Sequence, residues 1–155
     1  LLREVKEWFD GTVILSGSIG DGFSVASSLA LGADFAYMGT RFIATKEANA
    51  DQSYKEMLIE SAADDIVYSN LFTGVSGNYL KPSIKNAGLD PNNLPEADKS
   101  AMNFGSGGNT DAKAWKDIWG SGQGIGGIKD DPSVGDLVER IIEEYNQAKK
   151  EFNDK

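Results

Sequence analysis

The 155-residue chain has no cysteine and no histidine. The lack of cysteine excludes disulfide bonds and thiolate metal sites, and it is compatible with a cytosolic protein. The lack of histidine removes the commonest general base and the commonest metal ligand from the chemistry that this chain can do alone. The acidic pairs Asp64-Asp65 and Asp130-Asp131 are too short to indicate a metal site, and we predict that they are solvated helix or loop ends.

Two further shortages limit the partners. No run approaches the ~20 consecutive apolar residues of a membrane span, so we expect no membrane association. Basic residues number 15 against 24 acidic ones, and the net charge of −9 argues against a nucleic-acid partner because no basic stripe could displace its counterions. A hydrophobic content of 40% suits one globular domain, for which we predict a cytoplasmic location. The chain begins with a charged amphipathic segment rather than a signal peptide, and because it starts within a predicted helix we expect a piece of a longer protein.

Residues 12–45 carry the pattern on which the predicted fold depends. Two short apolar runs, at 13–15 and 35–38, each open into small residues at their C-terminal end. Between them, apolar residues recur at helical spacing, and Gly32 closes the segment. A crossover of this length predicts that the two strands are parallel, so both small-residue loops follow the carboxyl edge of the sheet. Ligands of α/β proteins bind at that edge.

The two loops are predicted to hold one phosphate group. In the first loop, Gly17, Ser18 and Gly20 lack the bulk that would keep backbone N–H groups away from an oxygen atom, and the following helix directs its positive end there. In the second loop, the N–H groups of Gly39 and Thr40 would complete the cage. The loops after strands seven and eight of (β/α)8 barrels form such a site. For either loop taken alone, a tight turn without a ligand remains the alternative.

The rest of the chain is interpreted as one segment, residues 1–155, without a domain boundary. Residues 72–130 are rich in glycine and proline, and we predict a lid-like insertion there, with short helices near 83–87 and 112–119. A terminal helix is predicted over 133–152 because a capping box, Ser133 with Asp136, precedes an apolar stripe.

Smaller elements and side chains complete the prediction. We expect helices over 1–9 and 51–62 and a short strand at 66–68. Arg41, in the second loop, could pair with the phosphate or turn outward to a structural carboxylate, and we favour the structural role. Trp115 and Trp119 are four residues apart, so they would share a helix face, and we favour core or lid packing over a stacking platform for a ligand.

These residues resemble the C-terminal half of the nitronate monooxygenase family, formerly the 2-nitropropane dioxygenases. The resemblance covers nearly the whole chain. It is carried by the Gly17-Ser18-Ile19 loop, the block at 38–42, the helix containing Tyr54-Lys55 and the glycine-rich run at 120–127. Members are FMN-dependent (β/α)8 barrels and are similar to the FMN-dependent enoyl-ACP reductases. The resemblance therefore implies an α/β fold that forms the C-terminal part of a (β/α)8 TIM barrel, with FMN as cofactor.

The resemblance also implies which residues bind the cofactor. They are Gly17, Ser18, Tyr37, Met38, Gly39, Thr40 and Gln123. The first two would hold the FMN phosphate from one side and the next four from the other, while Gln123 would supply an amide to the flavin or substrate. The alternative for the glycine-rich run around Gln123 is a connector to the last helix. The family usually has a second glycine at position 18 and a polar residue, often glutamine, at position 37.

The implied activity is oxidation of nitronates, derived from nitroalkanes, by a flavoprotein monooxygenase that uses oxygen. The family's catalytic histidine lies upstream of the matching region, so the resemblance implies that this chain has no catalytic residue and is inactive alone. The implied partners are a small-molecule substrate and the missing N-terminal part of the barrel, and homo-oligomerisation stays open. Two alternatives also stay open: an FMN-dependent reductase that passes electrons from NAD(P)H to a quinone or an enoyl-ACP, and a non-redox barrel that binds a sugar phosphate.

Overall fold

The computed structural model describes residues 1–96 and 116–154. The helices are α1 (Leu2–Trp8), α2 (Gly22–Ala30), α3 (Thr40–Ile43), α4 (Gln52–Glu60), α5 (Lys81–Asn86) and α6 (Val134–Asn153). The strands are β1 (Ile14–Ser16), β2 (Phe35–Tyr37), β3 (Ile66–Ser69) and β4 (Gly77–Leu80), and short 3₁₀ helices cover Ala63–Asp65 and Gln123–Gly127. The chain divides into two compact units, Leu1–Ile59 with Gly124–Lys155, and Glu60–Gln123. The predicted insertion at 72–130 overlaps the second unit in sequence.

The first unit contains the predicted strand–helix–strand motif. β1 and β2 pair in parallel, with Ile14 opposite Phe35 and Ser16 opposite Tyr37, and α2 forms the crossover between them. Asp34, which precedes β2, is hydrogen-bonded to the residue before β1 and to α1. Its Oδ2 accepts hydrogen bonds from the Val13 N–H at 2.8 Å and from Lys6 Nζ at 3.1 Å. The hydrogen bond from Val13, followed by that from Lys6, lowers the pKa of the Asp34 carboxyl. The predicted parallel pair is confirmed.

Helix α6 begins where the sequence predicts. Ser133 is its N-cap, and the Ser133 hydroxyl accepts a hydrogen bond from the Asp136 N–H at 3.1 Å and donates one to Asp136 Oδ2 at 2.7 Å. The N-terminal signal is therefore confirmed, although the Asp136 carboxylate bonds to the serine side chain rather than to its backbone. Of the apolar stripe, Leu137 is buried, whereas Val138 and Ile142 are exposed.

Helices α2 and α6 pack closely at Gly22. A Cβ atom at this position would overlap the Ile141 carbonyl oxygen and the Tyr145 N–H, and it would lie 2.6 Å from Glu144 Cβ. The Gly22 N–H also donates a hydrogen bond of 2.8 Å to Glu144 Oε2. Only glycine allows the first turn of α2 to approach the backbone of α6 to this distance.

We predict that Gly22→Ala lowers the free energy of unfolding by about 3 kcal/mol, since α6 must move away from α2 to admit the methyl group. Gly135→Ala is the matched control, because the nearest atom to a Cβ there is Ser133 Oγ at 3.8 Å. That change should be neutral or stabilising by about 0.5 kcal/mol, since alanine favours a helix over glycine. Urea denaturation followed by circular dichroism measures both, and equal midpoints for the two variants would contradict the predicted close packing.

The second unit is built on an antiparallel pair of strands, β3 and β4, with Ile66 opposite Leu80 and Ser69 opposite Gly77. Its core consists of the buried residues Leu71, Phe72, Tyr79, Ile84 and Ile118. The Phe72 and Tyr79 rings meet edge to face with their centroids 4.9 Å apart, an arrangement that aromatic pairs favour. β3 confirms the predicted strand at 66–68.

Two predictions for this unit are wrong. β4 was not expected, because its first residues, Gly77 and Asn78, are typical of turns, and pairing with β3 overrides that preference. The predicted helix at 112–119 does not extend to Trp119, since the Trp119 carbonyl accepts a hydrogen bond from the Leu80 N–H at 2.8 Å and Gly120 bridges Tyr79. Residues 112–115, including Trp115, lie outside the described residues.

Across residues 1–96 and 116–154, none of the helices combines the length and the apolar character that crossing a bilayer requires.

Candidate functional site

The parallel pairing of β1 and β2 brings the two small-residue loops to one edge of the sheet. Ser16, the last residue of β1, lies opposite Tyr37, the last residue of β2, and Ser16 Oγ is 3.5 Å from the Tyr37 carbonyl oxygen. The first loop continues directly into Gly17 and Ser18, and the second into Met38 and Gly39. The structure therefore places the two loops side by side, at the carboxyl edge of both strands.

The first loop turns sharply away from the sheet. Gly17 has φ of +104° and Ser18 has φ of +56°, so two consecutive residues adopt left-handed conformations. For a residue with a Cβ atom, the left-handed conformation costs about 1–2 kcal/mol relative to the right-handed one, so position 18 would favour glycine on physical grounds. The Ser18 side chain is exposed, and no hydrogen bond among the described residues uses its backbone N–H.

The second loop leads into α3, a helix of four residues that was not expected from the sequence. Gly39 is its N-cap and has no side chain to accept the N–H groups of the first turn. A Cβ atom at Gly39 would have no other atom within 4 Å, and the same is true of Gly17, so open space adjoins both loops. Met38 and Thr40 are half-buried, whereas Tyr37 is 62% exposed.

The sequence suggested that the positive N-terminal end of α2 is directed at the phosphate, but protein side chains accept the backbone N–H groups there. The N–H groups of Gly20 and Asp21 donate to Ser24 Oγ at 3.2 and 3.1 Å, and the Ser24 N–H donates to Asp21 Oδ1 at 2.7 Å. The Gly22 N–H is held by Glu144. Two carboxylates therefore occupy the N-terminus of α2, and their charge would repel an anion placed there. Gly20, proposed as part of the cage, is instead part of this helix cap.

Gly124, within the glycine-rich run, closely approaches the backbone of the first loop. A Cβ atom at Gly124 would lie 2.9 Å from the Ser18 carbonyl oxygen and 3.1 Å from Ser18 Cα. On the other side, Gly124 contributes a carbonyl oxygen that would lie 3.6 Å from a Cβ atom at Gly20. Gln123, whose side chain is exposed, begins the 3₁₀ helix that carries Gly124. The role of Gln123 toward a ligand stays a prediction.

Arg41 has the structural role that the sequence predicted. Its guanidinium is only 4% exposed, and it donates hydrogen bonds to Asp130 Oδ1 at 2.9 Å and to the Ala44 and Asp130 carbonyl oxygens at 3.1 and 3.2 Å. Burial lowers the pKa of Arg41, and the neighbouring Asp130 carboxylate opposes that effect. Because the guanidinium donates to protein oxygens and pairs with the Asp130 carboxylate, its charge is neutralised within the fold.

Asp130 lies in a loop and its side chain is 44% exposed, in line with the prediction of a solvated loop end, but the sequence did not indicate its two arginine partners. Arg140 of α6 binds both of its carboxylate oxygens, at 3.0 and 2.7 Å, while Arg41 shares Oδ1. The hydrogen bond from Arg140 is the main reason why the pKa of Asp130 is lowered, and the same contact raises the pKa of Arg140. The partners are 89 and 10 residues away in the sequence, so no local pattern indicated this cluster.

Comparison with known proteins shows the family to which this chain belongs. A sequence profile described as nitronate monooxygenase matches residues 1–144. The chain belongs to the nitronate monooxygenase family. The nitronate monooxygenase of Neurospora crassa is 28% identical to this family member over 163 residues, which cover 97% of this chain and 42% of that protein. The nitronate monooxygenase of Paraburkholderia phytofirmans is 35% identical over 79 residues, which cover 51% of this chain and 22% of that protein.

Solved structures show the same fold for this nitronate monooxygenase family member. FabK from Thermotoga maritima has a TM-score of 0.69 and 23% identity, covering 99% of this chain and 50% of that one. Nitroalkane oxidase from Streptomyces ansochromogenes has a TM-score of 0.68 and 24% identity, covering 98% of this chain and 44% of that one. Both are TIM-barrel enzymes, which confirms the predicted α/β segment of a (β/α)8 barrel. The chain spans half or less of the length of these relatives.

We predict that Gly124→Ala lowers the free energy of unfolding by about 1–3 kcal/mol, because the new methyl group would displace the backbone of the first loop at Ser18. Gly126→Ala, in the same 3₁₀ helix, is the control, since a Cβ atom there has no neighbour within 4 Å. The control should change stability by no more than about 0.5 kcal/mol. Denaturation midpoints that fall equally in both variants would show that the close approach to Ser18 is unimportant.

Proposed function

We propose that this chain supplies the FMN-phosphate-binding part of an oxidoreductase that oxidises small nitronates with oxygen. The observation that carries the proposal is the pair of loops at the carboxyl edge of two parallel strands, the second of which leads into a short helix. In (β/α)8 barrels a phosphate is frequently bound by the loops after the last two strands together with the N-terminus of a short extra helix. Membership of the nitronate monooxygenase family supports the finer assignment of substrate.

The residues present fit a phosphate group. The open space at Gly17 and Gly39 would admit phosphate oxygens that a side chain would exclude. The Ser18 N–H would donate from one side, and the N-terminus of α3 would direct backbone N–H groups and a partial positive charge from the other. Tyr37, Met38 and Thr40 complete the proposed set of binding residues. The net charge of −9 does not argue against this site, because backbone amides rather than side-chain cations would bind the dianion.

When bound, FMN would accept electrons from the substrate and pass them to oxygen, and this redox chemistry belongs to the cofactor. The residues of this chain would hold the flavin phosphate and thereby fix the position of the ring. Gln123 is proposed to direct its amide toward the flavin or the substrate. The chain contains no histidine, so the base that takes the proton from the substrate carbon is proposed to lie elsewhere in the barrel.

The proposed partner is the N-terminal part of the barrel, which would cover one face of the β1–β2 sheet. On that face Ile14 and Phe35 lie opposite each other and are 57% and 61% exposed, and Tyr37 is exposed to a similar extent. Strands of a barrel are covered on both faces, so this apolar surface suits burial against further strands. The length of the relatives, about twice that of this chain for the two solved structures, supports the same partner. Cytoplasmic location and homo-oligomerisation stay predictions.

We predict that the chain binds FMN more tightly than riboflavin, which lacks the phosphate, and that Gly39→Val reduces this preference at least about tenfold, or about 1.4 kcal/mol. The valine side chain would fill the space proposed for the phosphate, and it should cost little stability because a Cβ atom at Gly39 has no neighbour within 4 Å. Quenching of flavin fluorescence measures both affinities. Gly127→Val, where a Cβ atom also has open surroundings, is the control. A Gly39→Val protein that keeps the wild-type preference would refute the proposed placement of the phosphate.

A second measurement tests the reaction. In the complete barrel, formed by this chain and its proposed N-terminal part, we expect propionate 3-nitronate to reduce the bound flavin under anaerobic conditions faster than NADH does. Reduction by NADH alone would favour the FMN-dependent reductase instead. A purified complete protein that is colourless, and stays so after incubation with FMN, would favour the alternative of a non-redox barrel that binds a sugar phosphate.

A further inference from the structure

The segment that follows the second loop is tied to the N-terminus of α6 at three successive points. Arg41 binds Asp130. The Lys46 N–H donates to the Pro132 carbonyl oxygen at 3.0 Å. The Glu47 carboxylate accepts the Val134 N–H, with both oxygens within 3.0 Å. These contacts join residues 41–47 to residues 130–134, and we call this set of contacts the α3–α6 anchor.

Helix α3 needs such an anchor because it is too short to be stable alone. Four residues provide a single turn, and an isolated helix is marginal even at about 12–15 residues. Just after this turn, the Thr45 hydroxyl donates to the Phe42 carbonyl oxygen at 2.8 Å, and the buried Lys55 of α4 donates to the Thr45 carbonyl oxygen at 2.7 Å. These contacts lie at the C-terminal end of α3, so the position of its N-terminus at Gly39–Thr40 depends on how that end is held.

Asp130 is the central residue of the α3–α6 anchor. It binds Arg41, one residue after Thr40, and it accepts hydrogen bonds from both terminal guanidinium nitrogens of Arg140 in α6. A bidentate arginine–carboxylate pair fixes the carboxylate in direction as well as in distance. The sequence of contacts from α6 through Arg140, Asp130 and Arg41 therefore ends next to the residues proposed to bind the phosphate.

We propose that Asp130 is a positioning residue for the phosphate-binding loop, acting through Arg41 and without touching the ligand. This inference rests on the proposed function. Asp130 holds the buried Arg41 guanidinium, and because Arg41 belongs to α3, this contact fixes the short helix and the backbone of the second loop at Gly39, which precedes it. It also neutralises Arg41, so the anion is bound by backbone amides and the arginine stays within the fold.

The test compares FMN with riboflavin as ligands of the full chain. Asp130→Asn keeps the shape of the side chain but removes its charge, and we expect the ratio of FMN affinity to riboflavin affinity to fall about fivefold. A purely structural role would lower both affinities in proportion to the folded fraction and leave their ratio unaltered. Asp131→Asn is the matched control, since Asp131 makes none of the anchor contacts and its loss removes the same charge. Asp130→Glu retains the charge and should restore part of the preference.

If Asp130→Asn does not fold, Arg140→Gln provides the same test, because Arg140 is partly exposed and its loss frees Asp130 from α6. For that variant we expect a decrease of about twofold to threefold in the preference for FMN. An unchanged ratio in a folded Asp130 or Arg140 variant would overturn the inference, and so would an increase, which would mean that Asp130 withholds Arg41 from the anion. A wild-type chain without any preference for FMN would instead refute the proposed function itself.

Discussion

The parallel pairing of β1 and β2 is the constraint on which the candidate site depends. Two antiparallel strands would send the loops after Ser16 and after Tyr37 to opposite edges of the sheet, and no shared ligand could bind both. The α2 crossover imposes the parallel arrangement, because a chain that leaves one strand must return to the starting edge before it can run beside it in the same direction. The register that places Ser16 opposite Tyr37 then aligns the two loops to within one strand spacing.

Helix α6 fixes both loops from outside the sheet, in two different ways. Toward the first loop it acts by close packing, since Gly22 of α2 meets the backbone of α6 and its N–H binds Glu144. Toward the second it acts by charge, through Arg140, Asp130 and Arg41. Arg41 is almost fully buried and Asp130 is not, so removal of the carboxylate would leave an uncompensated buried cation, which is the costly way to break such a pair.

The charges around the two loops follow one rule. Carboxylates cap the N-terminus of α2, where Asp21 and Glu144 accept the backbone donors, whereas the N-cap of α3 is Gly39, which has no side chain that could place a charge there. An anion would therefore be repelled from the longer helix and attracted to the shorter one. This distribution of carboxylates supports a phosphate position between Gly17–Ser18 and Gly39–Thr40, as proposed. At that position the acidic side chains of the chain would not oppose the binding of a dianion.

The sequence by itself determined the strand–helix–strand motif and the start of α6 at Ser133, because these depend on local periodicity and capping. It also carried the family resemblance, through short blocks around Gly17 and Gly39. Only the tertiary structure decided that Glu144 caps α2, that Asp130 lies between two arginines, and that Gly77 and Asn78 enter a strand. Each of these depends on a partner distant in the chain, and local pattern holds no information about which distant groups will satisfy a backbone N–H, a carboxylate or an open strand edge.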